Sequence, residues 1–132
     1  MVSSQNKRID LTIKAKHLQG FTSSGQVMIG DQAFEYYNER NPRDYIQIPW
    51  DEVDLITAEV IFKEKIPRFA IHTRQNGDFI FTTVDNKKTL RAINKYIPGD
   101  KLRKSLSFVD YIKRAYYMSM TEINPNRIVP KG

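Results

Sequence analysis

The sequence predicts an α+β domain in which about seven antiparallel strands form a small β-barrel, followed by C-terminal helices. Three observations carry this. Apolar residues alternate at period two through most of the first 84 residues. Asn76-Gly77 joins two β-rich runs. After Asp85 the apolar spacing lengthens to that of a helix.

The first run, "IDLTIKAKHL", sets Ile9, Leu11, Ile13 and Ala15 against Asp10, Thr12, Lys14 and Lys16, the pattern of a half-buried strand. "TSSG" turns the chain into "QVMI", and Gly30-Asp31 turns it into "AFEYY". "NERNPRD" is polar, contains Pro42 and reads as a longer loop. "YIQIPW" is a fourth strand ended by Pro49, which cannot donate to a ladder. "DLITAEVIF" is the fifth. In "RFAIHTRQNGDFIFTTV" a two-residue type I′ turn at Asn76-Gly77 predicts that Arg74 faces Phe79 and His72 faces Phe81, with Phe69 opposite Val84. Both faces of this hairpin carry apolar side chains, so a helix or a partner is expected over the second face.

Helical spacing begins with Asp85 or Asn86 as N-cap and continues through Leu90, Ile93 and Ile97 to the stop at Pro98-Gly99. Lys87, Arg91 and Lys95 recur every four residues, about 40° apart around the helix and opposite its apolar side. A second helix is expected from about Lys101 to Met120, with Arg103 and Arg114 on its polar side. The tail from residue 121 to 132 holds two prolines and reads as flexible, which leaves one domain over 1–120. Strands that meander rather than alternate with helices exclude a doubly wound sheet. No parallel strand pair is expected. The order fits a pleckstrin-homology-like barrel, in which seven strands are capped by a C-terminal helix.

Composition narrows the function. The 132 residues are 40% hydrophobic, with seven Phe and seven Tyr, enough for a packed core. The absence of Cys removes disulfides, thiolate nucleophiles and thiolate metal sites, and fits a cytoplasmic setting. The start, "MVSSQNKRIDLTIK", has no apolar leader region. The net charge of +6 is uneven: residues 1–85 carry ten Lys and Arg against twelve Asp and Glu, and residues 86–132 carry eleven against three. A basic C-terminal third suggests an anionic partner, although a solvated helix surface would read the same way.

Catalytic constellations are hard to find. His17 and His72 are the two histidines, each in a strand, and neither has a Cys, His or carboxylate at metal-ligand spacing. No glycine pattern cradles a phosphate, and no serine stands near a base and an orienting acid. Asp51, Glu52 and Asp54 are the best acidic cluster, but they lie in a turn, where acids are common and solvated. Trp50 reads as a plug at a strand end with its N–H bonded at the rim. No catalytic residue, metal or cofactor is expected.

The stretches "VMIGDQAFEYYNERNPRDYIQIPWDEVDLITAEVIF", "IPRFAIHTRQNGDFIFTT" and "DNKKTLRAINKYIP…KLRKSLSFVDYIKR" resemble the ManO-like family. These uncharacterised proteins are encoded beside mannose-class sugar phosphotransferase permeases in Gram-positive bacteria. The resemblance runs from about Lys7 to Arg114. It implies an accessory or regulatory role at the permease, without catalytic or ligand residues to transfer. The expected partners are permease subunits or an anionic membrane surface, with the protein cytoplasmic or peripheral at the inner face of the membrane. The expected contacts are Lys87, Arg91, Lys95, Arg103 and Arg114, or the apolar hairpin residues Phe79 and Phe81. The alternatives are a nucleic-acid-binding regulator of the mannose operon and an enzyme on phosphosugars. The strands lack the interleaved basic and aromatic residues of a base-stacking surface, and no helix-turn-helix pair is present.

Overall fold

The computed structural model describes residues 2–105. Seven strands precede the helix: β1 (Ile9–His17), β2 (Ser23–Gly30), β3 (Ala33–Asn38), β4 (Tyr45–Pro49), β5 (Val53–Glu59), β6 (Phe69–Thr73) and β7 (Asp78–Thr83). Helix α1 (Asn86–Asn94) and a short strand β8 (Leu102–Ser105) follow. Together they form an α+β domain with one eight-stranded sheet in the order β4-β3-β2-β1-β7-β6-β5-β8. Its pairings are antiparallel except β5 with β8.

The alternation read in β1 is real: Ile13 and Ala15 are buried, while Lys14 and Lys16 are exposed. The same inward face supplies Val27, Phe34, Ile56, Phe69 and Phe81 to one core, which Ile93 and Ile97 join from the helical side. Phe34 lies 4.9 Å from Phe81 and 6.2 Å from Phe69, centroid to centroid, although β2 and β1 separate their strands. The sheet must curl to bring these rings together. Its described strands do not close into a barrel, because the edge strands β4 and β8 are not paired with each other.

Four expectations are corrected. The segment from Lys101 does not open a helix: Gly99–Lys101 is a 3-10 turn and Leu102–Ser105 is a strand. Backbone pairing explains it, since β8 satisfies the outer edge of β5 from Ile56 to Glu59 while Leu102 packs on the core. The parallel pair excluded by the sequence therefore exists. The rest of the expected second helix, and the tail, lie outside the described residues.

The hairpin register also differs. His72 pairs with Asp78, Ile71 with Phe79 and Phe69 with Phe81. Gly77 adopts φ +79°, but Asn76 does not take the positive φ that a type I′ turn needs. Instead Thr73 closes a longer tip, its hydroxyl accepting the Asn76 N–H at 2.9 Å and donating to the Gly77 carbonyl at 2.6 Å. Lastly, β5 stops at Glu59 rather than running to Phe62, since Phe62 and Lys63 turn through φ of 50° and 68°.

The outer face of β3 holds a feature that alternation does not reveal. Ala33, Phe34, Glu35 and Tyr36 are buried in succession, so both faces of the strand are covered. Glu35 is 0% exposed, and the cover is the N-terminal segment. Ser4 Oγ donates to Oε1 at 2.5 Å, Asn6 Nδ2 to Oε1 at 2.9 Å and the Gln5 N–H to Oε2 at 2.8 Å. The Tyr37 hydroxyl and Gln47 Nε2 donate to Oε2 from the sheet at 2.8 and 3.1 Å. Asn6 Oδ1 accepts the N–H groups of Gln32 and Ala33, both at 2.8 Å. Gly30 makes room for this strap: a Cβ there would lie 2.3 Å from the Arg8 carbonyl oxygen and 2.5 Å from Asn6 Cγ.

Five donors, with no cation paired to it among the described residues, hold the Glu35 carboxyl group in place. Glu35→Ala strands those donors and should cost about 2–4 kcal/mol in urea denaturation. It should also open the segment before Arg8 to proteolysis. A variant as stable and as protease-resistant as the wild type would show that the strap is held by other contacts.

Candidate interaction surface

Helix α1 starts where the sequence places it. Asp85 caps it by accepting the Lys88 N–H at 3.1 Å. Asn86 ties the first turn to the sheet, with Nδ2 donating to the Ile66 carbonyl at 2.7 Å and Oδ1 accepting the Thr83 N–H at 2.7 Å. Ile93 is buried, so the opposite side faces solvent. Lys87, Lys88 and Arg91 are exposed there and form no ion pair among the described residues.

Lys95 departs from the expected stripe. It lies at the C-cap, where Nζ is 3.3 Å from Asp10 Oδ2 and 5.5 Å from the centre of the Tyr96 ring. Asp10 is the hub of this corner. It also accepts the Tyr96 hydroxyl and lies 3.0 Å from Arg8 Nε. The Tyr96 hydrogen bond is the main reason its carboxyl is pulled down to about 2, with Arg8 and Lys95 adding to it against some desolvation. The Tyr96 ring stacks on Trp50 at 5.3 Å and 11°, and Trp50 Nε1 donates to the Gly30 carbonyl at 2.9 Å. Trp50 is thus the strand-end plug the sequence suggests. Lys95 helps hold the helix terminus to β1.

The other predicted contacts scatter. Arg103 is exposed, but on β8 beside Thr57 of β5, with Nε donating to the Asp100 carbonyl at 3.3 Å. Phe81 is 0% exposed and belongs to the core, packed on Phe34, Phe69 and Tyr36. Phe79 is half-buried against the same core. The pairing of Phe69 with Phe81 turns Phe81 inward, so it is not available as a docking surface. Arg114 lies outside the described residues. Asp51 and Asp54 are exposed at the turn that Trp50–Glu52 makes.

One arrangement has no counterpart in the sequence reading. On the outer face, Thr57 Oγ1 is 2.9 Å from His72 Nε2, and His72 Nδ1 is 2.9 Å from Asp78 Oδ1. A hydroxyl, an imidazole and a carboxylate in this order match the layout of a nucleophile, its base and an orienting acid. An oxyanion site is what the arrangement lacks: β5 is laddered on both sides around Thr57, which occupies the nearby backbone N–H groups. Thr57 and His72 are fifteen residues apart, and only the β5–β6 register brings them together. Among the described residues, no three His, Asp or Glu side chains are grouped to hold a metal ion.

The family described as "Domain of unknown function (DUF956)" matches residues 1–116. None of the curated proteins matches the chain. Among solved structures, the crystal structure of the C-terminal domain of an unknown protein from Leishmania infantum is similar in fold. It has a TM-score of 0.60 and 11% identity, over 67% of this chain and 83% of that one.

The Asp10 corner gives a pH signature. Its carboxyl is lower in the folded protein than the ordinary value near 3.8, so its stabilising effect is present above about pH 4 and is lost as pH falls through about 2. Asp10→Asn should therefore lower the melting temperature at pH 7, and the gap from wild type should shrink between about pH 4 and pH 2. A gap of equal size at pH 7 and pH 2 would remove the ionised carboxylate from the explanation.

Proposed function

The chain belongs to the DUF956 family, and on that premise we propose that it is a non-enzymatic accessory or regulatory module that docks on an anionic surface through the outer side of α1. The observation that carries this reading is the exposure of Lys87, Lys88 and Arg91 without an ion-pair partner among the described residues, beside a fourth cation, Lys95, that is committed to Asp10. Unpaired cations on one side of a short helix contribute little to folding and are available to steer an encounter. The proposed setting is a mannose-class sugar phosphotransferase permease or the anionic leaflet around it, which follows from the resemblance over Lys7 to Arg114. A cytoplasmic protein, peripheral at the inner face of the membrane, belongs to the same proposal. No helix among the described residues is long and apolar enough to cross a membrane.

The fold supports this reading as a variant of the pleckstrin-homology-like architecture. A curled meander of seven strands surrounds one core, and the helix follows directly after β7. The eighth strand is an addition to that plan.

Each cation near an anionic leaflet contributes about 1 kcal/mol. Replacing Lys87 and Arg91 together by Gln should thus weaken sedimentation with vesicles containing phosphatidylglycerol by roughly thirty-fold. The melting temperature should stay within a degree or two, because neither side chain packs in the core. Raised salt should reproduce the loss in the wild type. Undiminished sedimentation of the double variant, or salt-resistant binding to promoter DNA instead of vesicles, would overturn the proposal.

A further inference from the structure

We infer that the open seam beside β4 is a binding site for an extended peptide carrying a Lys or Arg side chain. The site is distinct from the cations of α1 and independent of them.

The backbone leads to it. The Asn38 N–H donates to the Asp44 carbonyl and the Trp50 N–H to the Gln32 carbonyl. In an antiparallel ladder of this register, Ile46 and Ile48 therefore bond to β3. The N–H and C=O groups of Tyr45 and Gln47 point the other way, to an edge that no described strand covers. Elsewhere on the sheet, β8 pairs with β5 only from Ile56 onward, so no described strand covers the outer edge of β5 at Val53.

Between the β4 edge and the β6–β7 hairpin lies a cavity of about 410 Å³, whose walls include Ile46, Gln47, Pro49, Thr73 and Phe79. Its lining also includes Glu52. Glu52 Oε2 is buried and has no hydrogen-bond partner among the described residues. The turn that carries it is fixed, since the Arg74 N–H donates to the Glu52 carbonyl at 3.0 Å and Arg74 Nε donates to the Asp51 carbonyl at 2.9 Å.

A carboxylate oxygen out of water without a donor is unfavourable, and the groups that relieve it best are an ammonium or a guanidinium. A free edge beside it adds main-chain partners for a strand of about three residues. Walls of mixed polarity, with Phe79 and Ile46 beside Gln47 and Thr73, accept the alternating side chains of such a strand. Charge, edge and walls together select an extended segment with one basic residue rather than a small cation alone. The Asp51-Glu52-Asp54 cluster thus reduces to one chemically exceptional member, Glu52, while Asp51 and Asp54 remain in water.

The probe is a blocked seven-residue peptide of alternating Val and Thr with one central Arg, titrated into the full chain and followed by calorimetry and amide NMR. Saturable binding is expected, with the Tyr45 and Gln47 amide protons becoming protected from solvent exchange. Glu52→Gln should weaken it at least ten-fold, and so should Gln in place of the peptide's Arg, a control that leaves the protein untouched. The Lys87 and Arg91 double variant should bind as the wild type does, which separates this site from the surface on α1. The inference is overturned if the peptide fails to bind at millimolar concentration or if its Gln analogue binds equally well. Free arginine binding as tightly as the peptide, or protection confined to other strands, would overturn it too.

Discussion

Phe34 has to reach Phe69 and Phe81, and most of the architecture answers to that contact. Neighbouring strands are about 4.8 Å apart, so in a flat sheet β3 would stand roughly 14 Å from β7 and further still from β6. The observed centroid distances of 4.9 and 6.2 Å require the sheet to bend until its two halves face each other across one aromatic cluster. Bending removes the inward face from water. It also leaves two consequences at the periphery: an end that Ile93 and Ile97 cover, and a seam along β4, whose outer edge no described strand pairs.

What holds the periphery is polar. The N-terminal strap sits on Glu35, and the end of α1 sits on Asp10 and on the Trp50–Tyr96 stack. Each carboxylate collects several donors at once, which fixes orientation more tightly than a single ion pair between flexible side chains. The basic character of the chain is therefore divided. Arg8 and Lys95 are drawn inward to Asp10, and the cations one turn or two earlier on α1 are left in solvent.

The strand positions, the Asp85 cap and the role of Trp50 were legible because each rests on residues close in sequence. Ile13 against Lys14 is a period-two signal, and Asp85 before a helical run is a local hydrogen bond. The place of the hairpin is legible but its register is not, since the Thr73 hydroxyl outcompetes the turn that Asn76-Gly77 favours. β8 is hidden in the sequence for a different reason: Leu102 fits a helical spacing as well as a strand, and its partner Ile56 lies far upstream. Glu35 reads as an ordinary outward residue of an alternating strand until Ser4 and Asn6 are known to fold over it. Thr57 with His72, and Glu52 with the seam, depend on register and curvature in the same way.

The pairing of β8 bears on how the molecule is made. A ribosome releases the chain from its N-terminus, and β1 to β4 can zip as successive hairpins as they emerge. β1 must then wait for β7, and β5 for β8, because Thr83 pairs with Ala15 and Leu102 with Ile56 across long stretches of chain. Loop closure makes such pairings slow, and a parallel strand cannot be reached by a tight turn. Until both have formed, β1 and β5 each present an open edge to neighbouring chains. Newly made protein is therefore most prone to mispair while residues 78–105 are still being delivered, and the pairing of β8 with β5 is the step that ends that interval.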